Sequence, residues 1–210
     1  MFIAVEGGDG AGKSTQVKLL ARYFEEKGRE VVICREPGST LLGERVREIL
    51  LHQEDLKICR WSELFLFMAA RSQLVTEVIC PALSDGKVVL ADRFLLSSMV
   101  YQGYAGELGV EEIREIGKYA TGGLLPDLTF LLDISLQKAQ ERRQTQPDRM
   151  EKQGDLFHLR VREGFLAEAK KFPRKVVLLS AEHSVEEIHA QIISVVETLL
   201  RKRQTGETDV

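Results

Sequence analysis

Five short, almost continuous apolar runs recur along the chain. They cover residues 2–5, 30–35, 87–92, 128–134 and 175–180. Apolar runs of this length are typical of strands that are buried on both faces of a parallel sheet. In the stretches between them, apolar residues recur at the spacing of a helix. This pattern is clearest after Ser184, a possible N-cap. One face of that last helix is formed by Val185, Ile188, Ile192, Val195 and Leu199.

This alternation of strands and helices predicts the fold class. We expect one α/β domain over residues 1–210, with a five-stranded parallel sheet between two layers of helices. The polar segment 201–210 is expected to fray, with a flexible tail at about 203–210. In sheets of this kind, ligands bind beyond the carboxyl ends of the strands. The residues that follow each apolar run are therefore the candidates for function.

The first apolar run leads into a glycine-rich loop, "FIAVEGGDGAGKSTQ". From Gly7 to Ser14 the pattern is Gly-x-x-x-x-Gly-Lys-Ser. Apolar residues then recur at helical spacing from Val17 to Phe24, and Gly28 is a plausible helix end. A loop with this pattern between a strand and a helix indicates a phosphate-binding P-loop. The alternative, an ordinary turn with an exposed lysine, is disfavoured because the pattern and its context agree.

The chemistry of a P-loop assigns roles to these residues. Glycines allow successive backbone N–H groups to point at phosphate oxygens, and the helix N-terminus adds partial positive charge. Lys13 would reach the outer phosphates, and Ser14 would ligate Mg²⁺. The predicted ATP-binding residues of the loop are Gly7, Gly8, Asp9, Gly10, Ala11, Gly12, Lys13, Ser14 and Thr15.

The run at 87–92 ends in a second candidate pair. Asp92 can help to organise Mg²⁺ or its waters, and Arg93 can bind a phosphate through two parallel hydrogen bonds. The alternative is a surface salt bridge between the two side chains. The position at a strand end favours the functional interpretation.

Composition narrows the class of protein. The chain has 210 residues, 44% of them hydrophobic and 29% charged, with a net charge of −3. This balance is ordinary for a soluble globular protein and argues against a dominant nucleic-acid surface. No apolar run approaches membrane-spanning length and no signal peptide is evident, so a cytoplasmic protein without a membrane partner is expected. Cys34, Cys59 and Cys80 lack a metal or redox spacing and are expected to be reduced and structural.

Proteins with a P-loop include GTPases, ATPase motors and kinases. An Asn-Lys-x-Asp guanine motif is absent, and the chain is short for a motor with partner domains. A small kinase fits best. Two rivals stay open: a kinase for another deoxynucleotide, and a regulatory module that senses ATP without turnover.

Six stretches resemble the thymidylate kinase family. They follow the order of the family over nearly the whole chain: "EGGDGAGKST", "REPGST", "FLFMAARSQ", "DRFLLSSMVYQG", "PDLTFLLDIS" and "DRME". The Asp-Arg…Ser-Ser…Tyr-Gln-Gly run is the most specific of these. Two positions depart from the family pattern. Phe94 replaces a usual tyrosine, and Ser39 replaces a common glycine and is expected to stiffen the turn.

The resemblance implies an enzyme that transfers phosphate from ATP to dTMP with Mg²⁺, and it implies a homodimer. It also assigns a base pocket. Phe67 would stack on thymine and Arg71, one helical turn later, would hydrogen-bond it. Tyr101 would pack against the sugar and exclude a ribose 2′-hydroxyl. Further substrate contacts are implied for Ser97, Ser98 and Gln102. For Phe67 a core position is the alternative, and for Phe65 a core position is the better interpretation.

The same resemblance assigns the phosphate contacts. Arg93 would hold the dTMP phosphate and Arg47 would be a second clamp, although a lone helical arginine is more often a solvated charge. Arg35 and Glu36 would line the same pocket, with Glu36 orienting an arginine or a metal-bound water. Asp9 would position the acceptor nucleotide near its 3′-hydroxyl.

The segment at about 141–153, "ERRQTQPDRMEKQ", is predicted to form a lid that closes over ATP. The P-loop has no arginine, so Arg142, Arg143 and Arg149 would supply the missing positive charge, as in the bacterial type of the family. Arg143 and Arg149 are the catalytic candidates, and Arg142 is assigned to ATP. Arg149 could also pair with Asp148 or Glu151. The alternative is a solvated loop.

Overall fold

The computed structural model describes residues 1–53, 55–142 and 148–205. Its five strands form one parallel sheet in the order β2-β3-β1-β4-β5. The strands are β1 (Phe2–Gly7), β2 (Val31–Arg35), β3 (Val88–Asp92), β4 (Leu128–Asp133) and β5 (Val176–Ser180). The predicted α/β class and all five predicted strands are confirmed, and no strand boundary moves by more than two residues.

Helices cover both faces of the sheet. They are α1 (Lys13–Glu26), α2 (Leu41–Leu51), α3 (Arg60–Leu74), α4 (Cys80–Ser84), α5 (Leu95–Ser98), α6 (Val110–Thr121), α7 (Leu136–Glu141), α8 (Asp155–Lys171) and α9 (Val185–Thr205). Two wider π-helical segments continue helices without a break: Val75–Ile79 joins α3 to α4, and Met99–Ala105 follows α5.

The central strand shows how the layers are built. Side chains of a strand alternate between the two faces of the sheet. Ile3 and Val5 therefore pack in a core with α1 and α9, whereas Phe2 and Ala4 pack in a second core with α3, α5 and α6. The predicted arrangement in three layers follows directly from this alternation.

The two edge strands differ from the prediction of burial on both faces. In β2 Ile33 is 49% exposed, and in β5 Leu178 is 49% exposed. An apolar run marks a strand, but helices are needed on both sides of it to bury both faces. At the two edges of this sheet the helical layers cover the strands incompletely.

The last helix extends further than the sequence predicted. Its start is a capping box, in which Glu187 N–H donates to Ser184 Oγ at 3.2 Å and Ser184 N–H donates to the Glu187 carboxylate at 2.8 Å. Residues 201–205 remain helical, and Arg203 forms an ion pair with Asp127 at 2.6 Å. The expected fraying is therefore wrong for 201–205, and residues 206–210 lie outside the described part of the chain.

The continuous helix Arg60–Ser84 bears on the expectation that no apolar run approaches membrane-spanning length, although charged residues interrupt it. It is long and apolar enough to cross a membrane by length and composition alone. In the structure Leu64, Leu74 and Ile79 of this helix pack into the core beneath the sheet. Near its middle lies Arg71, which is 1% exposed and paired with a buried glutamate. The helix is a core element that carries a buried charge.

Helix α6 positions α5 through a contact that requires glycine. A Cβ atom on Gly117 would lie 2.2 Å from Cδ1 and 2.7 Å from Cδ2 of Leu95. We predict that Gly117→Ala lowers the free energy of unfolding by about 1–3 kcal/mol, because overpacking displaces well-packed side chains. Thermal and urea unfolding measure the change. Lys118→Ala, on the exposed face of the same helix, is the control. Equal stability of the two variants would contradict the contact.

Candidate active site

The carboxyl ends of three neighbouring strands bring the predicted residues together. In the sheet register Asp92 lies opposite both Val5 and Arg35, and Gly7 lies opposite Leu132. The P-loop after β1, the segment after β2 and the turn after β3 therefore share one edge of the sheet. This is the edge at which ligands bind in open α/β sheets.

The P-loop adopts a conformation that two of its glycines make possible. Gly7 has a φ of +140°, and a Cβ there would lie 2.4 Å from the carbonyl oxygen of Leu132. Gly12 has a φ of +90° at the start of α1. Lys13 folds back so that its Nζ donates to the Gly8 carbonyl at 2.8 Å, and its side chain is only 8% exposed. The alternative of a turn with an exposed lysine is wrong.

Arg93 has its backbone in the left-handed region, with a φ of +72°. Its guanidinium donates to the Gly7 carbonyl at 3.0 Å, to Ser97 Oγ at 3.1 Å and to the Asp9 carboxylate. The ion pair is thus with Asp9 of the P-loop. The alternative, a surface salt bridge between Arg93 and Asp92, is wrong, because Arg93 pairs with Asp9 and its side chain is only 16% exposed.

Glu6 holds this turn in place, and sequence reasoning missed it. Its carboxylate is completely buried and accepts from the N–H of Phe94 at 2.8 Å, from the N–H of Ser97 at 3.2 Å and from Ser97 Oγ at 2.6 Å. Burial raises the pKa of Glu6, and these hydrogen bonds and Arg93 oppose that rise. The available signal was a glutamate at the end of an apolar strand, directly before the P-loop.

The charges next to the P-loop are strongly coupled. Burial by itself would raise the pKa of Asp9, but the positive charges of Arg93 and Lys13 outweigh it and hold that pKa well below its usual range. Burial and the charge of Arg93 lower the pKa of Lys13, and Asp9 opposes this. Asp9 is therefore ionised and serves as counter-ion to both cations.

The residues predicted for Mg²⁺ meet at the mouth of the loop. Ser14 Oγ donates to the Asp92 carboxylate. Hydroxyl and carboxylate oxygens are ligands that Mg²⁺ prefers. Within residues 1–53, 55–142 and 148–205 no group of three or more His, Cys, Asp or Glu side chains could hold a metal. The donor set fits an ion that takes its remaining ligands from phosphates and water.

Two of the cavities at this edge of the sheet contain the predicted site residues. The first, the P-loop cavity, is lined by Asp9, Gly10, Gly12, Lys13, Ser14, Thr15, Arg35, Glu36, Arg47, Asp92, Arg93, Arg142 and Glu151. The second, the aromatic cavity, is lined by Asp9, Glu36, Pro37, Arg47, Leu51, Phe67, Arg71, Arg93, Ser97, Ser98, Tyr101, Gln102, Asp148 and Met150. Four residues line both cavities: Asp9, Glu36, Arg47 and Arg93.

Glu36 and Arg71 form a buried ion pair in the wall of the aromatic cavity. Arg71 Nε and Nη2 donate to Glu36 Oε2 at 2.8 and 2.5 Å, and Nη2 also donates to Ser98 Oγ at 3.0 Å. Glu36 thus orients an arginine, as one of the two sequence interpretations proposed. Its second carboxylate oxygen, Oε1, is buried and has no hydrogen-bond partner among the described residues.

The two candidate aromatic residues of α3 point in different directions. Phe67 is half-buried and lines the aromatic cavity. Phe65 is 55% exposed, with its ring 5.9 Å from that of Trp61, so the prediction of a core position for Phe65 is wrong. Helix periodicity explains the difference, because the buried face of α3 passes through Leu64 and Met68, and Phe65 lies beside it.

Tyr101 lines the aromatic cavity and contacts Asp9, which lines both cavities. Its hydroxyl donates to the Asp9 carboxylate at 3.2 Å, and its ring packs edge-on against Phe157 and Phe165 of α8. Burial raises the pKa of Tyr101, so the phenol is neutral and can donate this hydrogen bond. The π-helical segment that carries Tyr101 also places Gln102 in the wall of the aromatic cavity.

The two remaining arginines of this region have different surroundings. Arg47 is half-buried, donates to the Pro37 carbonyl at 2.9 Å and lines both cavities, so the solvated-charge alternative is wrong. Arg35 lines only the P-loop cavity, and its exposed side chain pairs with Glu44 at 3.0 Å. The chain between Arg35 and Arg47 turns at Ser39, which has a φ of +64°. Glycine adopts this left-handed conformation most easily, which explains why the family pattern has glycine at this position.

Only part of the predicted lid can be located. Arg142 lines the P-loop cavity, whereas Arg143 lies outside the described residues. Arg149 donates to Glu63 and to the Leu50 carbonyl, both at 2.6 Å. Its predicted pairing with Asp148 or Glu151 is therefore wrong.

Sequence reasoning missed the placement of those two acidic residues. Asp148 lines the aromatic cavity and Glu151 lines the P-loop cavity. The Asp148 carboxylate also accepts from the N–H groups of Met150 and Glu151, which fixes the turn at this end of the lid segment. Their signal was the "DRME" motif itself, whose two acidic residues were interpreted only as partners of Arg149.

The three cysteines lie apart from this chemistry. All three are free thiols, as expected, but Cys59 and Cys80 are exposed, so the expected structural role fits only Cys34. Cys34 is buried in β2, and burial raises the pKa of its thiol to about 12. A thiol that stays protonated is a poor nucleophile, so Cys34 acts as a small core residue.

Comparison with known proteins assigns the family. The family model "Thymidylate kinase" matches residues 5–192. A thymidylate kinase of Caldanaerobacter subterraneus subsp. tengcongensis is 45% identical over 95% of this chain and 96% of its own. One of Fervidobacterium nodosum is 46% identical over 93% and 98% of the two chains.

A solved structure agrees with the sequence comparisons. The crystal structure of thymidylate kinase from Ehrlichia chaffeensis superposes with a TM-score of 0.78 at 34% identity, covering 94% of this chain and 98% of that one. The resemblance drawn from the sequence motifs is thereby confirmed. The chain belongs to the thymidylate kinase family.

Proposed function

We propose that the protein transfers the γ-phosphoryl group of ATP to the phosphate of dTMP, giving dTDP and ADP. One observation carries the proposal: the P-loop cavity and the aromatic cavity meet at Asp9, Glu36, Arg47 and Arg93. A triphosphate held by the P-loop and a pyrimidine nucleotide held by Phe67 would then bring their phosphates together at this junction. Phosphoryl transfer requires this in-line approach of acceptor oxygen and phosphorus.

The reaction needs positioning and positive charge more than it needs a base. The acceptor is a phosphate oxygen that is already largely deprotonated at neutral pH. Lys13 and Arg93 supply fixed positive charge on the two sides of the junction, and Arg47 adds to it. Mg²⁺, bound with ATP near Ser14 and Asp92, would neutralise part of the phosphate charge. The chain's own task is to hold two anions together.

Both central cations already have internal partners. Lys13 donates to the Gly8 carbonyl, and Arg93 is paired with Asp9. Incoming phosphates would replace these contacts. The two cations would then exchange one hydrogen-bond acceptor for another, and binding would not require the cost of removing them from water. Asp9 is then placed, beside the Tyr101 hydroxyl, to meet the sugar of the acceptor nucleotide. Tyr101 is our candidate for excluding a ribose 2′-hydroxyl.

The aromatic cavity suits a pyrimidine base. Phe67 offers a ring face for stacking, and Arg71 offers a donor that its pairing with Glu36 holds in place. Ser98 and Gln102 complete the polar edge. Of the lid arginines, Arg142 lines the P-loop cavity and would face the phosphates of ATP, and Arg143 is our catalytic candidate. Arg149 is assigned a positioning role, because Glu63 and the Leu50 carbonyl bind its guanidinium.

The proposal is tested by incubating the protein with ATP, Mg²⁺ and each of dTMP, dUMP, dCMP, dAMP and dGMP, with product analysis by chromatography. Formation of dTDP with preference for dTMP is expected. Preference for another monophosphate would favour a kinase for a different deoxynucleotide. ATP binding without turnover of any of them would favour an ATP-sensing module.

Lys13→Ala is predicted to lower kcat by about 100- to 1,000-fold, because the lysine stabilises charge on the transferred phosphoryl group. Steady-state kinetics with ATP and dTMP measure the loss. Lys18→Ala, on the exposed side of the same helix, is the matched control and should behave as wild type. Near-normal turnover by Lys13→Ala would contradict the P-loop assignment.

Phe67→Ala is predicted to raise KM for dTMP by about 5- to 150-fold and to leave KM for ATP nearly unchanged, because stacking on a base contributes about 1–3 kcal/mol. Tyr119→Ala removes an aromatic ring that is 86% exposed on α6 and serves as the control. Equal losses for both nucleotides, or unfolding, would support a core role for Phe67.

The proposal includes a cytoplasmic homodimer that acts on free nucleotides, without a nucleic-acid or membrane partner. The neighbouring, exposed rings of Trp61 and Phe65 on α3 supply an apolar face for a second copy of the chain. We predict a molar mass by light scattering of about twice the chain mass of 23.7 kDa. Phe65→Ser should shift the equilibrium toward the monomer. A wild-type protein that is monomeric at micromolar concentration would contradict the dimer.

A further inference from the structure

A chain of hydrogen bonds links the "DRME" segment to the aromatic cavity through Glu63 of α3. On one side Arg149 donates to Glu63 Oε2 at 2.6 Å. On the other side Gln102 Nε2 donates to Glu63 Oε1 at 3.0 Å. Both carboxylate oxygens are thus occupied, and the Glu63 side chain is only 14% exposed. Neither Glu63 nor this connection is among the residues assigned above to the substrates.

The contact with Glu63 fixes the orientation of the Gln102 side-chain amide, that is, which of its two ends faces the cavity. An amide has a donor end and an acceptor end of nearly the same shape, whereas an ionised carboxylate only accepts. Glu63 therefore attracts the NH₂ group of Gln102 and repels its carbonyl oxygen. Gln102 is 3% exposed and lines the aromatic cavity, so the end that remains for a ligand is the acceptor, Oε1.

Arg149 keeps the carboxylate in this position. Its Nε donates to the Leu50 carbonyl at 2.6 Å and its backbone N–H donates to the Leu51 carbonyl at 3.1 Å, so the "DRME" segment is bound to the end of α2. Leu51 and Met150, next to these anchors, line the aromatic cavity themselves. The ion pair and the cavity wall are thus parts of one assembly.

We propose that Glu63 is a specificity-determining positioning residue, which selects a keto pyrimidine over an amino pyrimidine by holding the Gln102 amide with its oxygen toward the base. The inference rests on the proposed function, in which Gln102 faces the pyrimidine edge. Thymine presents a donor at N3 and an acceptor at O4, and these complement Gln102 Oε1 and Arg71. Cytosine presents an acceptor at N3 and a donor at N4, so both contacts would be mismatched.

The test compares kcat/KM for dTMP with kcat/KM for 5-methyl-dCMP, which has the same methyl group and shape but the opposite hydrogen-bonding edge. In Glu63→Gln the new side chain can donate or accept, so the Gln102 amide is free to turn over. We expect the ratio of the two values to fall by about tenfold or more in Glu63→Gln. In this variant Gln102 can turn its NH₂ group toward N3 of 5-methylcytosine, so the repulsion between two hydrogen-bond acceptors is removed. KM for ATP should stay within about twofold of the wild-type value.

Glu77→Gln is the matched control. Glu77 follows α3 in the same continuous helix and also accepts from a glutamine amide, Gln73 Nε2 at 2.8 Å, but on the exposed surface. Its ratio should equal that of the wild type. Glu63→Asp supplies the rescue, because a shorter carboxylate still only accepts. Its overall activity is expected to fall while its preference for dTMP over 5-methyl-dCMP is retained.

Each outcome decides a different claim. A wild-type protein that does not phosphorylate dTMP contradicts the proposed function. A wild-type protein that prefers dTMP, combined with an unchanged ratio in Glu63→Gln, overturns the role of Glu63 alone. Loss of the preference in Glu63→Asp as well would make Glu63 a merely structural residue. If Glu63→Gln does not fold, the double variant with Arg149→Gln removes the unpaired cation and is measured in its place.

Discussion

The buried carboxylate of Glu6 is the contact on which the rest of the site depends. It accepts hydrogen bonds from the backbone directly after Arg93, a residue held in a left-handed conformation. Such a conformation is costly for a side chain with a Cβ and persists only where the surroundings enforce it. Because Glu6 lies in β1 directly before the P-loop, one carboxylate ties the P-loop strand to the turn that carries Arg93. The two halves of the site therefore cannot shift independently.

Around this anchor, positive charge is balanced by internal partners. Asp9 forms ion pairs with both Arg93 and Lys13, and Glu36 forms one with Arg71. These pairs let cations lie in partly or fully buried positions that would be prohibitive for an isolated charge. They also orient the cations before a nucleotide arrives, and preorganised charge is what phosphoryl transfer requires. The site is built as a set of internal ion pairs around two adjoining cavities.

Much of the fold and part of the site could be predicted from the sequence, for physical reasons. Apolar runs and the glycine spacing report local backbone requirements, so the strands, their parallel sheet and the P-loop were predictable. The exposure of Phe65 was not, because it depends on how α3 is rotated against the sheet. The partners of Arg149 were not predictable either, since Glu63 and Leu50 are distant in sequence. Glu6 was overlooked because a charged residue inside a strand pattern gives no sign of the backbone groups that it will meet.

The buried ion pair of Glu36 and Arg71 limits which substitutions the sequence can accept during evolution. Removing one partner of a buried ion pair leaves an uncompensated charge, at a cost of about 3–5 kcal/mol, whereas replacing both with well-packed apolar residues can be nearly neutral. The stability of a domain is only about 5–15 kcal/mol, so the single steps are close to prohibitive. The double replacement, in turn, would remove the cavity's arginine donor. The two positions should therefore be inherited as one unit, and any descendant that loses the pair should also have lost the arginine of the aromatic cavity.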